Sequence, residues 1–312
     1  LGAQMPSDEF NTMMRGLRSL ADQGMADRLL NPADAMAVAR EKLNALHGHP
    51  VAPDTRVNWT ELGGVRCAWV QVPGVDDASP CLFLCHGGAY IAAGGDGYLF
   101  YAEMLGRACG ARVCLVDYRL APENHYPAAL DDLVDAYRGL VNEDAGEAPG
   151  RIAIIGDSCG GALAVATLLR IRDEDLPAPA VGVALGGWFD HETPSGDREA
   201  DPILDPFAHP DFTRARGLDY VGMGGDLRNP FVSPVYASLK DLPPLLLQVG
   251  DVDLTFGDAE RLRARANADG VDTTFSVHPE MIHGFQGLAS AGIPEAHAAL
   301  AEVAAFISSR IR

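Results

Sequence analysis

A serine set among glycines, Gly156-Asp157-Ser158-Cys159-Gly160-Gly161, is the first stretch of this chain that could do chemistry. The apolar run before it, 151–155, is short and rich in isoleucine, and reads as a strand buried on both faces. The run after it, 162–169, is rich in Ala and Leu and reads as a helix. A serine at such a strand-to-helix turn stands proud of the sheet on a strained backbone, and neighbours without side chains let strand and helix approach closely. That is the setting of a nucleophile. The helix N-terminus beneath it offers free N–H groups to a developing oxyanion. Cys159 is the competing nucleophile, but the position after the serine presents a backbone amide rather than a side chain.

A serine nucleophile needs a base, and the base needs an orienting acid. At an elbow of this kind the order along the chain is Ser, acid, His, each after a strand. Gly250-Asp251-Val252-Asp253 follows an expected strand at 244–249, and His278-Pro279-Glu280-Met281-Ile282-His283-Gly284-Phe285 follows another at 273–278. Of nine histidines, His278 falls at the end of a strand, whereas His283 lies in the loop beyond it and is free to swing over Ser158. Asp251 and Asp253 both stand in the right loop. Asp251 can instead cap a turn or the following helix, which favours Asp253 as the acid. The acid holds the imidazole tautomer and stabilises its protonated form. His86-Gly87-Gly88-Ala89 follows the strand 81–85, where an oxyanion loop belongs. The expected donors are the amides of Gly87, Gly88 and Cys159, aimed at one point.

These residues require a scaffold. Residues 8–47 read as two helices, with Phe10, Met13, Met14, Leu17 and Leu20 at three-to-four spacing and Asn31-Pro32 opening the second. Strands at 57–62 and 65–72 are joined by Gly63-Gly64, a two-residue hairpin signal. Further strands at 81–85, 112–117, 151–155, 180–185, 244–249 and 273–278 alternate with helices. The total is eight strands in a mostly parallel α/β sheet covered on both faces, with its site at the carboxyl ends of the strands. The stretch 190–230 is too long for a bare loop and reads as an inserted lid.

Composition narrows the partners. The 312 residues carry 43 acidic against 24 basic side chains, a net charge of −19, which argues against nucleic acid and against an anionic membrane surface. No stretch approaches the length of a membrane span. Leu1-Gly2-Ala3-Gln4-Met5 lacks the apolar core of a signal peptide, and Met5 is the expected natural start. Six cysteines form no C-x-x-C pair, and Cys81, Cys85 and Cys114 sit inside apolar runs, so disulfides are not expected and a reducing cytoplasm fits. The elbow lacks the G-x-G-x-x-G spacing and no P-loop lysine follows it, which excludes a dinucleotide or nucleotide site there.

The motifs together resemble the hormone-sensitive-lipase family of α/β-hydrolase esterases, bacterial family IV. The matching stretches are His86-Gly87-Gly88, Asp117-Tyr118-Arg119-Leu120-Ala121-Pro122-Glu123, the elbow, Ser233-Pro234, Leu242-Pro243-Pro244, Gly250-x-x-Asp253 and His283-Gly284-Phe285, and they span about residues 57–290. The resemblance implies the α/β-hydrolase fold and a Ser158–Asp253–His283 triad. It implies an oxyanion hole from Gly87, Gly88 and Cys159, and hydrolysis of short- to medium-chain acyl esters without metal or cofactor. It also implies a helical cap segment at 1–55, ahead of a catalytic domain at 56–312 that carries a cap insertion at about 190–230. A homodimer through the edge of the eighth strand would fit the family.

Two residues depart from its pattern: Ala89 replaces the third glycine of the loop, and Cys159 replaces the usual Ala. Phe10, Met13, Met14, Tyr90, Trp188, Phe207, Phe212 and Phe285 are the candidate pocket wall. Amides, carbamates and lactones would use the same three side chains. A plant hormone receptor of this resemblance has lost its catalytic histidine; His283 is present here.

Overall fold

A computed structural model describes residues 6–20, 34–142, 145–194 and 210–311. Eight strands form a single sheet. They are β1 (Arg56–Leu62), β2 (Val65–Gln71), β3 (Cys81–Cys85), β4 (Arg112–Val116), β5 (Ile152–Asp157), β6 (Val181–Leu185), β7 (Leu245–Gly250) and β8 (Thr273–His278). Their order across the sheet is β1-β2-β4-β3-β5-β6-β7-β8. The hairpin turn at Gly63-Gly64 sets Leu62 opposite Val65, and its two glycines have φ of +57° and +78°, the left-handed backbone that a two-residue turn of this kind demands. β2 then runs antiparallel to β4, and every later pairing is parallel.

The strands β3 to β7 are buried at every position, as unbroken apolar runs predict for a sheet covered twice. Their side chains alternate between two cores. Phe83, Cys114 and Ile154 belong to one, and Leu82, Leu84, Leu115 and Ile155 to the other. Among the described residues eight α-helices pack around the sheet: α1 (Asp8–Leu20), α2 (Met36–His47), α3 (Leu99–Cys109), α4 (Ala128–Val141), α5 (Cys159–Asp173), α6 (Pro210–Val221), α7 (Phe256–Ala268) and α8 (Pro294–Ser308). The first core takes α2, α4, α5 and α7; the second takes α1, α3 and α8. The helix α5 is buried from Cys159 through Leu169, which is why its sequence is apolar all round rather than striped. Each fully buried Leu or Ile of these cores contributes roughly 1.5–3 kcal/mol of transfer free energy.

Two sequence expectations shift. The second helix starts at Met36 and not at Pro32. Asp34 and Ala35 are non-helical, and Asp34 instead pairs with Lys42 at 2.7 Å; Asn31-Pro32 lies outside the described residues. Within 190–230 the described residues hold the single helix α6, and Phe207 lies outside them. Among the described residues no helix is long and apolar enough to cross a membrane.

Candidate active site

The three side chains singled out by chain order meet at the carboxyl ends of β5, β7 and β8. His283 Nε2 lies 2.9 Å from Ser158 Oγ. On its other side, Nδ1 lies 3.1 Å from each carboxylate oxygen of Asp253. Asp253 Oδ1 also accepts the Thr255 N–H at 2.7 Å, which fixes the carboxylate plane. The Asp253 side chain is fully buried, and that of His283 nearly so.

The alternatives at both positions have other work. Asp251 Oδ1 accepts the Glu280 N–H at 2.6 Å and so ties the β7 turn to the β8 turn. His278 faces Ser276 and Glu302, at 3.1 and 3.2 Å.

Ser158 is held at φ +56°, ψ −130°, a backbone region that L residues rarely occupy. The elbow is also crowded: a Cβ on Gly160 would come within 2.1 Å of the Cys85 carbonyl oxygen. Cys159 is the first residue of α5, so its amide has no intrahelical acceptor. Its thiol is buried beneath the turn after β3, where the sulfur accepts the Tyr90 N–H at 3.2 Å and lies against the Ala89 amide. Burial pushes this thiol up to about 12, so it is inert as a nucleophile.

The glycine loop departs from expectation in one respect. His86 Nδ1 and the Gly87 carbonyl oxygen lie 2.6 Å apart, and the ring stacks on Tyr118 at 4.0 Å. Burial lowers the His86 pKa to about 4, so the ring is neutral and donates from Nδ1 to that carbonyl. A trans peptide points its N–H opposite its C=O, so the same contact turns the Gly88 amide away from His86. The Gly87 backbone lies against the buried carboxyl of Asp157, whose pKa its amide lowers. Gly87, expected as an oxyanion donor, thus sits on the Asp157 side of the loop. Gly88 and Ala89 line the cavity in front of Ser158, and Gly87 does not.

Asp157 is the structural partner of that loop. It is buried, accepts the Tyr98 hydroxyl at Oδ2 over 2.5 Å, and lies against the Gly87 backbone. Burial raises its pKa to about 6, against the lowering effect of Tyr98, His283 and the Gly87 amide.

The cavity that opens onto Ser158 has a volume of about 260 Å³. Its walls are Leu43, Leu46 and His47 of α2, His49, Tyr98, Phe100 and Tyr101, then Trp188, His283 and Leu288. Of the candidate wall residues among those described, only Trp188 lines it, with its indole Nε1 3.4 Å from His283 Nε2. Phe10 and Met14 are buried in the second core and border a separate groove beside Val252 and Glu280; Met13 packs against that core. Tyr90 is buried with its ring stacked on Tyr220 at 4.1 Å and its hydroxyl 2.8 Å from His191 Nε2. Phe212 packs edge-on to Trp188, and Phe285 sits in the second core. The missed wall had a signal: Leu43, Leu46 and His47, and again Tyr98 and Tyr101, share a face at three-to-four spacing. Among the described residues no cluster of three or more His, Cys, Asp or Glu could hold a metal ion.

Comparison with known proteins adds the family. A model of the alpha/beta hydrolase fold matches residues 82–287. The chain is 38% identical over 229 residues to an acetyl-hydrolase of Streptomyces hygroscopicus, covering 71% of this chain and 73% of the relative. It is 33% identical over 276 residues to the carboxylesterase NlhH of Mycobacterium tuberculosis, covering 82% and 84%. A solved esterase from the bacterial hormone-sensitive lipase family superposes with a TM-score of 0.87 at 33% identity, covering 99% of this chain and all of that one.

Proposed function

Because the chain belongs to the alpha/beta hydrolase fold family, among the bacterial hormone-sensitive-lipase-like esterases, we propose that Ser158, His283 and Asp253 are the machinery of its ester hydrolysis and that its substrates carry short to medium acyl chains. The protein is a carboxylic ester hydrolase acting on small esters. The observation that carries the residue assignment is the 2.9 Å approach of His283 Nε2 to Ser158 Oγ with Asp253 behind the ring.

In this reading Ser158 Oγ attacks the ester carbonyl while His283 Nε2 takes its proton. Asp253 keeps Nδ1–H of the ring directed at itself and stabilises the imidazolium. The Gly88 and Cys159 amides receive the oxyanion, helped by the positive end of α5. Ala89 stands beside them, its backbone next to the Cys159 sulfur. His283 next protonates the departing alcohol, then activates water to release the acid from Ser158.

The size reading rests on the cavity, whose 260 Å³ falls just under the usual ~300–1,000 Å³ of small-molecule sites. The α2 segment supplies one wall, so residues 1–55 act as a cap on the catalytic domain 56–312, together with the insertion at about 190–230. The abundant buried thiols and the acidic charge suit a reducing cytoplasm. A homodimer would form on the exposed edge of β8, and light scattering of the purified protein tests it.

The kinetic test is hydrolysis of p-nitrophenyl esters from acetate to decanoate, with matched amides and lactones. Wild type is expected to favour acetate and butyrate, and Ser158→Ala to lose at least 10³-fold in kcat. Retained turnover in Ser158→Ala, or amides cleaved faster than esters, would overturn the reading.

A further inference from the structure

The strand β6 leads into Gly186-Gly187-Trp188, directly beside the triad. Gly186 has φ +54°, and a Cβ there would stand 3.0 Å from Asp253 Oδ2 and 3.4 Å from His283 Nδ1. The backbone thus passes the Asp253 side of the imidazole at contact distance, and two residues on it delivers Trp188 to the Ser158 side. Trp188 is fastened there. Its backbone N–H donates to the Ser158 carbonyl at 3.2 Å. Its buried ring is met edge-on by Tyr90, His191 and Phe212, with centroids 6.1 to 6.2 Å apart. From this seat the indole Nε1–H points at His283 Nε2 across 3.4 Å, the same nitrogen that faces Ser158 Oγ at 2.9 Å.

An indole N–H only donates. It meets Nε2 while that nitrogen carries a lone pair, and it opposes a proton placed there, because two N–H groups would then face each other. A hydrogen bond to the neutral form of a base lowers its proton affinity. The charged groups around His283 pull the other way. Asp253 lies against Nδ1, and the buried carboxyl of Asp157, ionised above a pH of about 6, acts on the ring through space; both favour the imidazolium. His47, which lines the same cavity, is uncharged near neutrality, because burial lowers its pKa to about 4. Ser158 carries no charge. A ring pressed by two carboxylates and protonated at rest could not act as a base. The indole N–H is the contact at Nε2 that resists this.

We propose that the Trp188 indole N–H keeps His283 unprotonated at Nε2 in the resting enzyme and so extends ester hydrolysis to lower pH. Trp188 is a positioning residue, acting through His283. The inference rests on His283 being the esterase base and adds what keeps it one. At 3.4 Å the bond is long, so it gives way readily when the Ser158 proton arrives.

The test is the pH dependence of kcat/KM for p-nitrophenyl butyrate between pH 4.5 and 9, in wild type and Trp188→Phe. The acidic limb reports the essential base of the free enzyme. Its midpoint is expected to lie higher in Trp188→Phe by roughly half a pH unit to one unit, the worth of one neutral hydrogen bond. Altered packing at the cavity wall changes the height of the plateau and not the midpoint, and Asp157 titrates in both proteins, so the midpoint isolates the N–H. A second measurement needs no change at position 188. The chain has three tryptophans, and Trp59→Phe and Trp69→Phe identify the Trp188 indole by elimination in proton–nitrogen NMR spectra. Its Nε1–H resonance is expected to move upfield through the acidic limb as its acceptor takes a proton. A midpoint unmoved or lower in Trp188→Phe, or an indole resonance flat across the limb, would overturn the proposal. A wild type that hydrolyses no ester would strike the esterase reading instead, and the indole titration would still decide the contact.

Discussion

Ala89 and Ser158 hold left-handed backbone, at φ +57° and +56°, within one small site. For Ser158 the strain presents the hydroxyl; for Ala89 it serves the loop that lines the cavity. A glycine at 89 would adopt this backbone freely. Ala89→Gly is therefore expected to leave stability unchanged or raise it by up to about 1 kcal/mol, read as a urea midpoint, because relief of strain offsets the added freedom of the unfolded chain. A loss above about 1 kcal/mol would show that the Ala89 methyl packs more than it strains. At this scale the meeting of Ser158, Asp253 and His283 was legible from residue type and order alone. Which loop amides face the substrate was not. That depends on the bond from His86 to the Gly87 carbonyl, which sets the direction of the Gly87–Gly88 peptide plane and leaves no mark in the motif. Aromatic identity also misled: Tyr90 and Phe285 are as apolar as any pocket wall, but the backbone sends them into the cores.

The strands and helices were readable because period and punctuation agree in β3 to β7 and in α5. The role of α2 was less so. Its Ala39 and Leu43 are buried, and its polar side chains form a latch. Arg40 Nε donates to the Ile91 carbonyl and Nη2 to the Ala121 carbonyl, each at 2.8 Å, while the guanidinium also pairs with Glu123. Asn44 Oδ1 accepts the Ala93 N–H at 2.9 Å. These contacts fasten the helix that carries Leu43, Leu46 and His47 to the segment after the glycine loop and to the loop after β4. Spacing gave no warning, because a solvent-facing arginine and an arginine aimed at a distant carbonyl look alike in sequence. Arg40→Ala leaves two part-buried carbonyls without a donor, at about 1 kcal/mol each. The expected outcome is a several-fold rise in KM for p-nitrophenyl butyrate with a smaller change in kcat, and faster amide exchange across residues 36–47. Unchanged exchange there would refute the latch.

Across the whole molecule, buried titratable groups tie folding to pH. His86 and His191 are fully buried, and burial lowers both pKa values to about 4, well under an unfolded histidine near 6.5. Between those limits the unfolded chain binds the extra protons, so stability rises with pH by about 3 kcal/mol for each. Asp157 acts the other way: its pKa, raised to about 6, makes stability fall as pH climbs from about 4 to 6, by a similar amount. Asp190 and Glu103, held below the ordinary carboxylate range, add stability that is lost on acidification. Two histidines outweigh one aspartate, so the urea midpoint should rise from pH 4.5 to 6.5 and then level off; a midpoint that falls over that interval would contradict these burials. The same folding joins segments 95 and 30 residues apart, from 158 to 253 to 283, at one end of the sheet. The most direct test of that convergence is covalent trapping. Treatment with diethyl p-nitrophenyl phosphate, followed by peptide mass spectrometry, should place one diethylphosphoryl group on Ser158 in step with loss of activity, and His283→Ala should be labelled far more slowly. Complete inactivation with Ser158 unmodified would contradict the account.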